Sequence, residues 1–177
     1  CVTRRQRQMC IRDRCNKNKI ILIFDECTTG FREAYGGIHK KYKVYPDMAM
    51  FGKAIGNGYA INAIIGKKKF MKGADKTFIS STFWTEAVGS TAALHTLDEI
   101  KRTKSWKKIC KLGKYVKKEW FKLSKKYNLD MVITGLDSIP RFEMRENFQV
   151  YRTFITKKLL EKKILSSNYI YLSLIHI

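Results

Sequence analysis

The chain has 177 residues, 45% of them hydrophobic and 29% charged, with 11 Gly and only 2 Pro, a composition that excludes disorder and collagen-like repeats and describes a folded domain or a piece of one. Its longest uncharged, largely apolar runs, residues 20–24 and 60–66, fall far short of the roughly 20 residues a membrane-spanning helix needs, which excludes an integral helical membrane protein. The formal net charge of +21 comes from 36 Lys+Arg against 15 Asp+Glu, an excess that suggests an anionic partner only if its distribution supports one.

Residues 1–14, CVTRRQRQMCIRDR, show neither helical nor strand periodicity, and the composition changes abruptly to Lys, Ile and Asn at Cys15. They resemble translated sequencing-adapter read-through, and residues 172–177 resemble the matching contaminant at the other end. On this reading 1–14 and 172–177 are non-native tails, and residues 15–171 are an internal piece of a longer protein. Lys19 to Phe24 then reads as a buried parallel strand that delivers Asp25 and Glu26 at its carboxyl end, where open α/β sheets place their chemistry. Thr28-Thr29-Gly30 breaks this strand, and Tyr35-Gly36-Gly37 marks a second loop. Met48 to Phe51 reads as another short strand that stops at Gly52-Lys53. The glycines Gly52, Gly56 and Gly58 precede a strand over Ala60 to Ile65.

From Glu86 the apolar spacing becomes helical, through Val88, Ala92, Leu94, Leu97 and Ile100, and it resumes from Trp106 to Leu123 after a polar interruption at 101–105. We divide the chain there, into a first domain over 15–103 and a second over 104–171. In the second, Met131 to Thr134 and Arg141 to Met144 read as strands, Thr153 to Lys163 as an amphipathic helix, and Asn168 to Tyr171 as a last strand. The fold class is therefore α/β with a mostly parallel sheet, followed by a small α+β domain.

The chemistry-bearing constellation is a carboxylate at a strand end, Asp25, and a lysine, Lys53, in a glycine-rich turn after a second strand. Desolvation of a semi-buried lysine in such a turn makes its neutral amine available to carbonyls. An amine that takes an aldehyde cofactor, with an Asp for the cofactor's ring nitrogen, is the arrangement pyridoxal phosphate requires. Ser80, Ser81 and Thr82 offer hydroxyls suited to a phosphate. The three runs IILIFDECTTGFR, PDMAMFGKAIGNGYA and TFISSTFWTE, in this order and spacing, resemble the class III pyridoxal-phosphate-dependent aminotransferases, nearest to the glutamate-1-semialdehyde 2,1-aminomutase-like branch.

The resemblance implies a fragment of the fold-type-I transferase architecture, with an incomplete large domain and the small carboxy-terminal domain. It implies that Lys53 is catalytic, binding pyridoxal 5'-phosphate as a Schiff base and shuttling a proton. Asp25 would pair with the ring nitrogen, Cys27 would pack against the ring face where the family more often has Val, and Thr82 would bind the phosphate across a homodimer interface. It further implies an enzyme acting on a small amino/keto or amino-aldehyde substrate. The cysteines without CxxC or zinc spacing, and no charged start followed by an apolar core and cleavage site, point to the cytoplasm. The scattered lysines and short apolar runs point to no nucleic-acid or membrane partner. Two departures bear on the substrate: Thr28 stands where many relatives have Gln, and Ala87 follows Glu86 where Arg is expected.

Two other readings compete. An apolar strand ending in Asp-Glu also marks the magnesium-holding carboxylates of P-loop nucleotide hydrolases, but Gly52-Lys53 is followed by Ala54 rather than Ser or Thr. A basic nucleic-acid-binding domain rests on net charge alone. Five of the ten arginines lie within residues 1–14, and scattered lysines elsewhere are ordinarily a solvated face. The five cysteines and three histidines show no metal-ligand spacing, so no metal site is expected. Trp84, Trp106 and Trp120 read as packing anchors, the Lys67-Lys68-Lys69 run as a solvated loop, and Arg32 and Arg141 as candidates for a substrate carboxylate.

Overall fold

A computed structural model describes residues 3–80, 82 and 85–172. The chain divides into two compact units, Cys1–Ser105 and Trp106–Ile177. Mixed α and β structure fills both.

The first unit opens with helix α1, Arg4–Lys17, in a stretch whose sequence shows no periodicity. The helix forms without an apolar stripe because Arg and Gln are good helix formers and because Thr3 and Gln6 make a reciprocal capping box, Gln6 N–H to Thr3 Oγ1 at 3.2 Å and Thr3 N–H to Gln6 Oε1 at 2.8 Å. Strand β1 is Ile23–Asp25, β2 is Met48–Phe51 and β3 is Ala63–Gly66. Their order is β1-β2-β3, with β1 and β2 parallel and β2 and β3 antiparallel. β1 is shorter than its apolar run and is not the buried strand that run suggests: it lies at the edge of the three-stranded sheet, and Ile20, Ile21 and Ile23 are all about half exposed.

Between β1 and β2 lies a short helix α2, Ile38–Tyr42, which the loop reading of this region misses. Helix α3, Lys68–Met71, follows β3, and α4, Ala87–Thr103, packs against the 3-10 turn Lys53–Ile55. Phe31, Ile38, Val44, Ala49, Phe51, Ile55, Ala93 and Ile100 are buried and make up this unit's core. Asp47 ties its start together. The buried carboxylate accepts from the Leu22 N–H at 2.9 Å, Arg12 at 2.8 Å and Lys67 at 2.7 Å. Burial alone raises such a group, but these three donors hold Asp47 well below the usual carboxylate range. Lys67 is thus ion-paired rather than simply solvated.

The polar interruption ends α4 at Thr103, and α5 runs Ser105–Lys126. In the second unit, β4, Met131–Gly135, and β5, Pro140–Met144, form an antiparallel hairpin. Trp120 of α5 meets Phe142 of β5 edge to face at 4.9 Å, as a packing anchor does. Helix α6 is Phe148–Glu161, starting five residues before the apolar pattern that suggested it. The expected last strand lies along β5: Tyr169 bridges Arg141, and buried Asn168 donates its side-chain amide to the Phe142 carbonyl at 3.0 Å. No helix among the described residues is long and apolar enough to cross a membrane.

Candidate active site

Because β1 and β2 are parallel, their carboxyl ends emerge at the same edge of the sheet. Asp25 is the last residue of β1 and stands opposite Met50 in β2. Lys53 follows three residues later, so the pairing alone brings the acid and the amine to one place. The chain reverses after Asp25 through an Asx turn, in which the Cys27 N–H donates to Asp25 Oδ1 at 2.9 Å. Lys53 sits at φ +47°, a left-handed conformation that side-chain-bearing residues adopt at a cost and that clusters at functional positions. Its amine Nζ donates to Thr28 Oγ1 at 2.8 Å. Gly52, just before it, is closely packed on its own account: a Cβ there would lie 2.5 Å from Asn62 Oδ1 and 3.4 Å from Cys27 Sγ.

The electrostatics of this group follow from those contacts. Asp25 is held below the ordinary carboxylate range, first by the Cys27 backbone N–H, then by the Cys27 thiol and by the positive charge of Lys53. The same contact works in reverse on the thiol. Its hydrogen bond to Asp25 pushes Cys27 above the ordinary thiol range, with Lys53 pulling weakly the other way. Asp25 is therefore a carboxylate near neutral pH and Cys27 a thiol.

Glu26, the next residue, serves a different purpose. It is 1% exposed; Oε2 accepts from the Ile38 N–H at 2.9 Å and from the Thr29 hydroxyl, and Oε1 accepts from the His39 N–H at 3.1 Å, with His39 Nδ1 3.0 Å from the same oxygen. It fixes the amino end of α2 and the loop before it. A pair of magnesium-holding carboxylates needs both groups open on one side, and Glu26 is wholly taken up by the fold.

Asp25, Cys27 and Lys53 thus come together, with Thr28 as a fourth member that the sequence offers only as a departure from a family pattern. Lys53 differs from expectation in one respect: it is exposed rather than semi-buried, because the turn carries it to the open edge of the sheet and no described element covers it. Thr82 lies in an exposed turn, while Ser81 and Trp84 fall outside the described residues. Arg141 belongs to the second unit and pairs with Glu143 at 2.6 Å. Among the described residues no group of three or more His, Cys, Asp or Glu side chains is placed to hold a metal ion.

Comparison with known proteins identifies the family and the fold. The family model described as Aminotransferase class-III matches residues 7–168. The chain is 35% identical over 138 residues to a 3-aminobutyryl-CoA aminotransferase of Cloacimonas acidaminovorans, covering 77% of this chain and 33% of that protein. It is 36% identical over 141 residues to a glutamate-1-semialdehyde 2,1-aminomutase of Methanosphaera stadtmanae, covering 76% and 32%. The chain spans about a third of the length of these curated relatives. Among solved structures, the FumI protein of Sphingopyxis sp. MTA144, in its pyridoxal-phosphate internal aldimine form, superposes with a TM-score of 0.88 at 23% identity, over 98% of this chain and 43% of that one. At that identity the likeness shows the fold.

Proposed function

The chain belongs to the class-III aminotransferases, and from that premise we propose that it carries the cofactor-anchoring residues of a pyridoxal-phosphate enzyme that moves an amino group. The observation that supports this most is the meeting of Lys53 and Asp25 at the carboxyl ends of two adjacent parallel strands. The donor set fits the cofactor: an amine for its aldehyde, a carboxylate for its ring nitrogen, and a glycine, Gly52, that keeps the space between Asn62 and Cys27 clear. When bound, pyridoxal phosphate supplies an electron-withdrawing ring that stabilises negative charge on the substrate carbon.

The chain's own groups divide the remaining work. Asp25, kept ionised by the Cys27 N–H and by Lys53, holds a proton on the ring nitrogen. The half-buried Cys27 side chain would line the cofactor's ring. Lys53 Nζ would hold the cofactor's aldehyde and, as a free amine, would be the base that takes up and returns the substrate's proton. Thr82 contributes a hydroxyl to the cofactor phosphate in the neighbouring subunit of a homodimer, and its exposed turn leaves it open to such a neighbour. The names of the two relatives support a small amino acid, amino-aldehyde or aminoacyl thioester as the amino substrate. A cytoplasmic setting suits the free thiols of Cys15 and Cys27.

The test is a covalent map. The full-length protein is mixed with pyridoxal phosphate, reduced with borohydride and digested for mass spectrometry. A pyridoxyl label concentrated on Lys53, and lost in Lys53→Ala, is expected; a label spread evenly over surface lysines and unchanged in Lys53→Ala sinks the proposal. Turnover of an amino-aldehyde with and without an added amino donor then distinguishes movement within one molecule from transfer between two.

A further inference from the structure

Two consecutive residues serve the two reactive groups: Cys27 holds Asp25, and Thr28 holds Lys53. The first of these contacts is local, set by an Asx turn. The second spans 25 residues and joins the loops after two different strands, so it forms only in the folded site. Lys53 is exposed, its backbone is strained at φ +47°, and its side chain has four rotatable bonds. Nothing about the backbone alone tells the amine which way to point.

We propose that Thr28 is a positioning residue, whose hydroxyl holds the Lys53 amine across the carboxyl ends of β1 and β2, within the field of Asp25. This rests on the reading of Lys53 as the cofactor anchor. A hydroxyl suits the task because it accepts from the charged amine and donates to the neutral one. It can therefore hold Lys53 in both protonation states that an amine shuttling a proton must visit. The backbone of the loop helps, since the Asn57 N–H donates to the Lys53 carbonyl at 3.2 Å and the Gly56 N–H at 3.3 Å. The main chain at Lys53 is thereby fixed, and the hydroxyl has only the side chain to orient.

The experiment compares Thr28→Val and Thr28→Ser with the parent protein, again at full length, using pyridoxal phosphate at limiting concentration followed by borohydride. The readout is the initial rate of pyridoxyl labelling at Lys53 divided by that at Lys67 in the same sample, with thermal midpoints measured alongside. Loss of one such hydrogen bond slows Lys53 labelling roughly three- to tenfold in Thr28→Val, while Thr28→Ser stays within about twofold of the parent and both variants keep the parent's midpoint. Equal Lys53 labelling in parent and Thr28→Val overturns the positioning role and leaves the anchor reading standing. If Thr28→Val unfolds, the comparison passes to Thr28→Ala, whose smaller side chain adds no bulk. A parent protein in which Lys53 labels no faster than Lys67 overturns both the role and the reading beneath it.

Discussion

Asp25, the last residue of β1, and Glu26, the first beyond it, occupy opposite environments. Asp25 faces the open edge of the sheet, in an Asx turn with a thiol and within the field of an exposed amine. Glu26 points the other way, is almost wholly buried, and accepts from two backbone N–H groups, a hydroxyl and a position beside His39. The alternation of side chains along a strand accounts for the division. One carboxylate is left to chemistry because its neighbour secures the loop that frames it. On the site side, bonds are few and groups can be reached; on the anchor side, every donor is matched.

That contrast predicts opposite consequences for neighbouring substitutions. Glu26→Ala strands the Ile38 and His39 N–H groups in a buried place and removes a buried carboxylate from His39, which should cost about 3 kcal/mol or more in urea denaturation. Asp25→Asn should leave the unfolding midpoint close to the parent's and instead abolish selective pyridoxyl labelling of Lys53. A Glu26→Ala protein as stable as the parent would break the comparison at its root.

Glycines sharpen it further. At Gly37, which starts α2, a Cβ would lie 2.5 Å from Glu26 Oε1 and collide with the His39 ring, both buried and bonded to each other. Gly37→Ala should therefore cost about 2 kcal/mol, the usual range for forcing atoms into a filled site. At Gly52, on the site side, the near neighbour is the end of the Asn62 side chain, which can turn away. Gly52→Ala should destabilise by about 1 kcal/mol or less while still slowing the Lys53 label. Equal losses of stability at the two glycines would mean that the site edge is as rigidly packed as the anchor.

Much of this was legible in the sequence, and the rest was not for identifiable reasons. Met48–Phe51 stands where its apolar run and Gly52 put it, and α4 and α5 stop and start at the polar gap around Thr103, because periodicity and breakers are local signals. The meeting of Asp25 and Lys53 was expected from the family resemblance, and the parallel pairing of β1 with β2 that produces it comes from the structure. Helix α1 was missed because its stability comes from a capping box and helix formers rather than an apolar face. Helix α2 is only five residues long and is held by Glu26, a tertiary contact that no local pattern announces. For the same reason the Thr28 bond to Lys53 and the Lys67 pair with Asp47 were invisible. The exposure of Lys53 also escaped, since a glycine-rich turn predicts a bend and says nothing about what covers it.

The smallest effect tests the site side most directly, through the thiol that shares a hydrogen bond with Asp25. That bond holds Cys27 above the ordinary thiol range because the carboxylate accepts a hydrogen bond from the S–H and repels the thiolate. Only the thiolate alkylates, so the iodoacetamide rate at Cys27, followed by peptide mass spectrometry from pH 7 to 10, should rise at higher pH than that of free N-acetylcysteine alkylated in the same sample. Comparing the shapes of the two pH profiles, rather than the rates, removes the difference in access between a half-buried thiol and a free one. Asp25→Asn removes the negative charge, so the Cys27 profile should move down in pH and its rate at pH 8 should rise about twofold or more. An unchanged profile in Asp25→Asn would mean that the acid and the thiol do not share a proton in solution. The carboxylate would then owe its ionised state to the Cys27 N–H and Lys53 alone, and Cys27 would be a packing residue and nothing more.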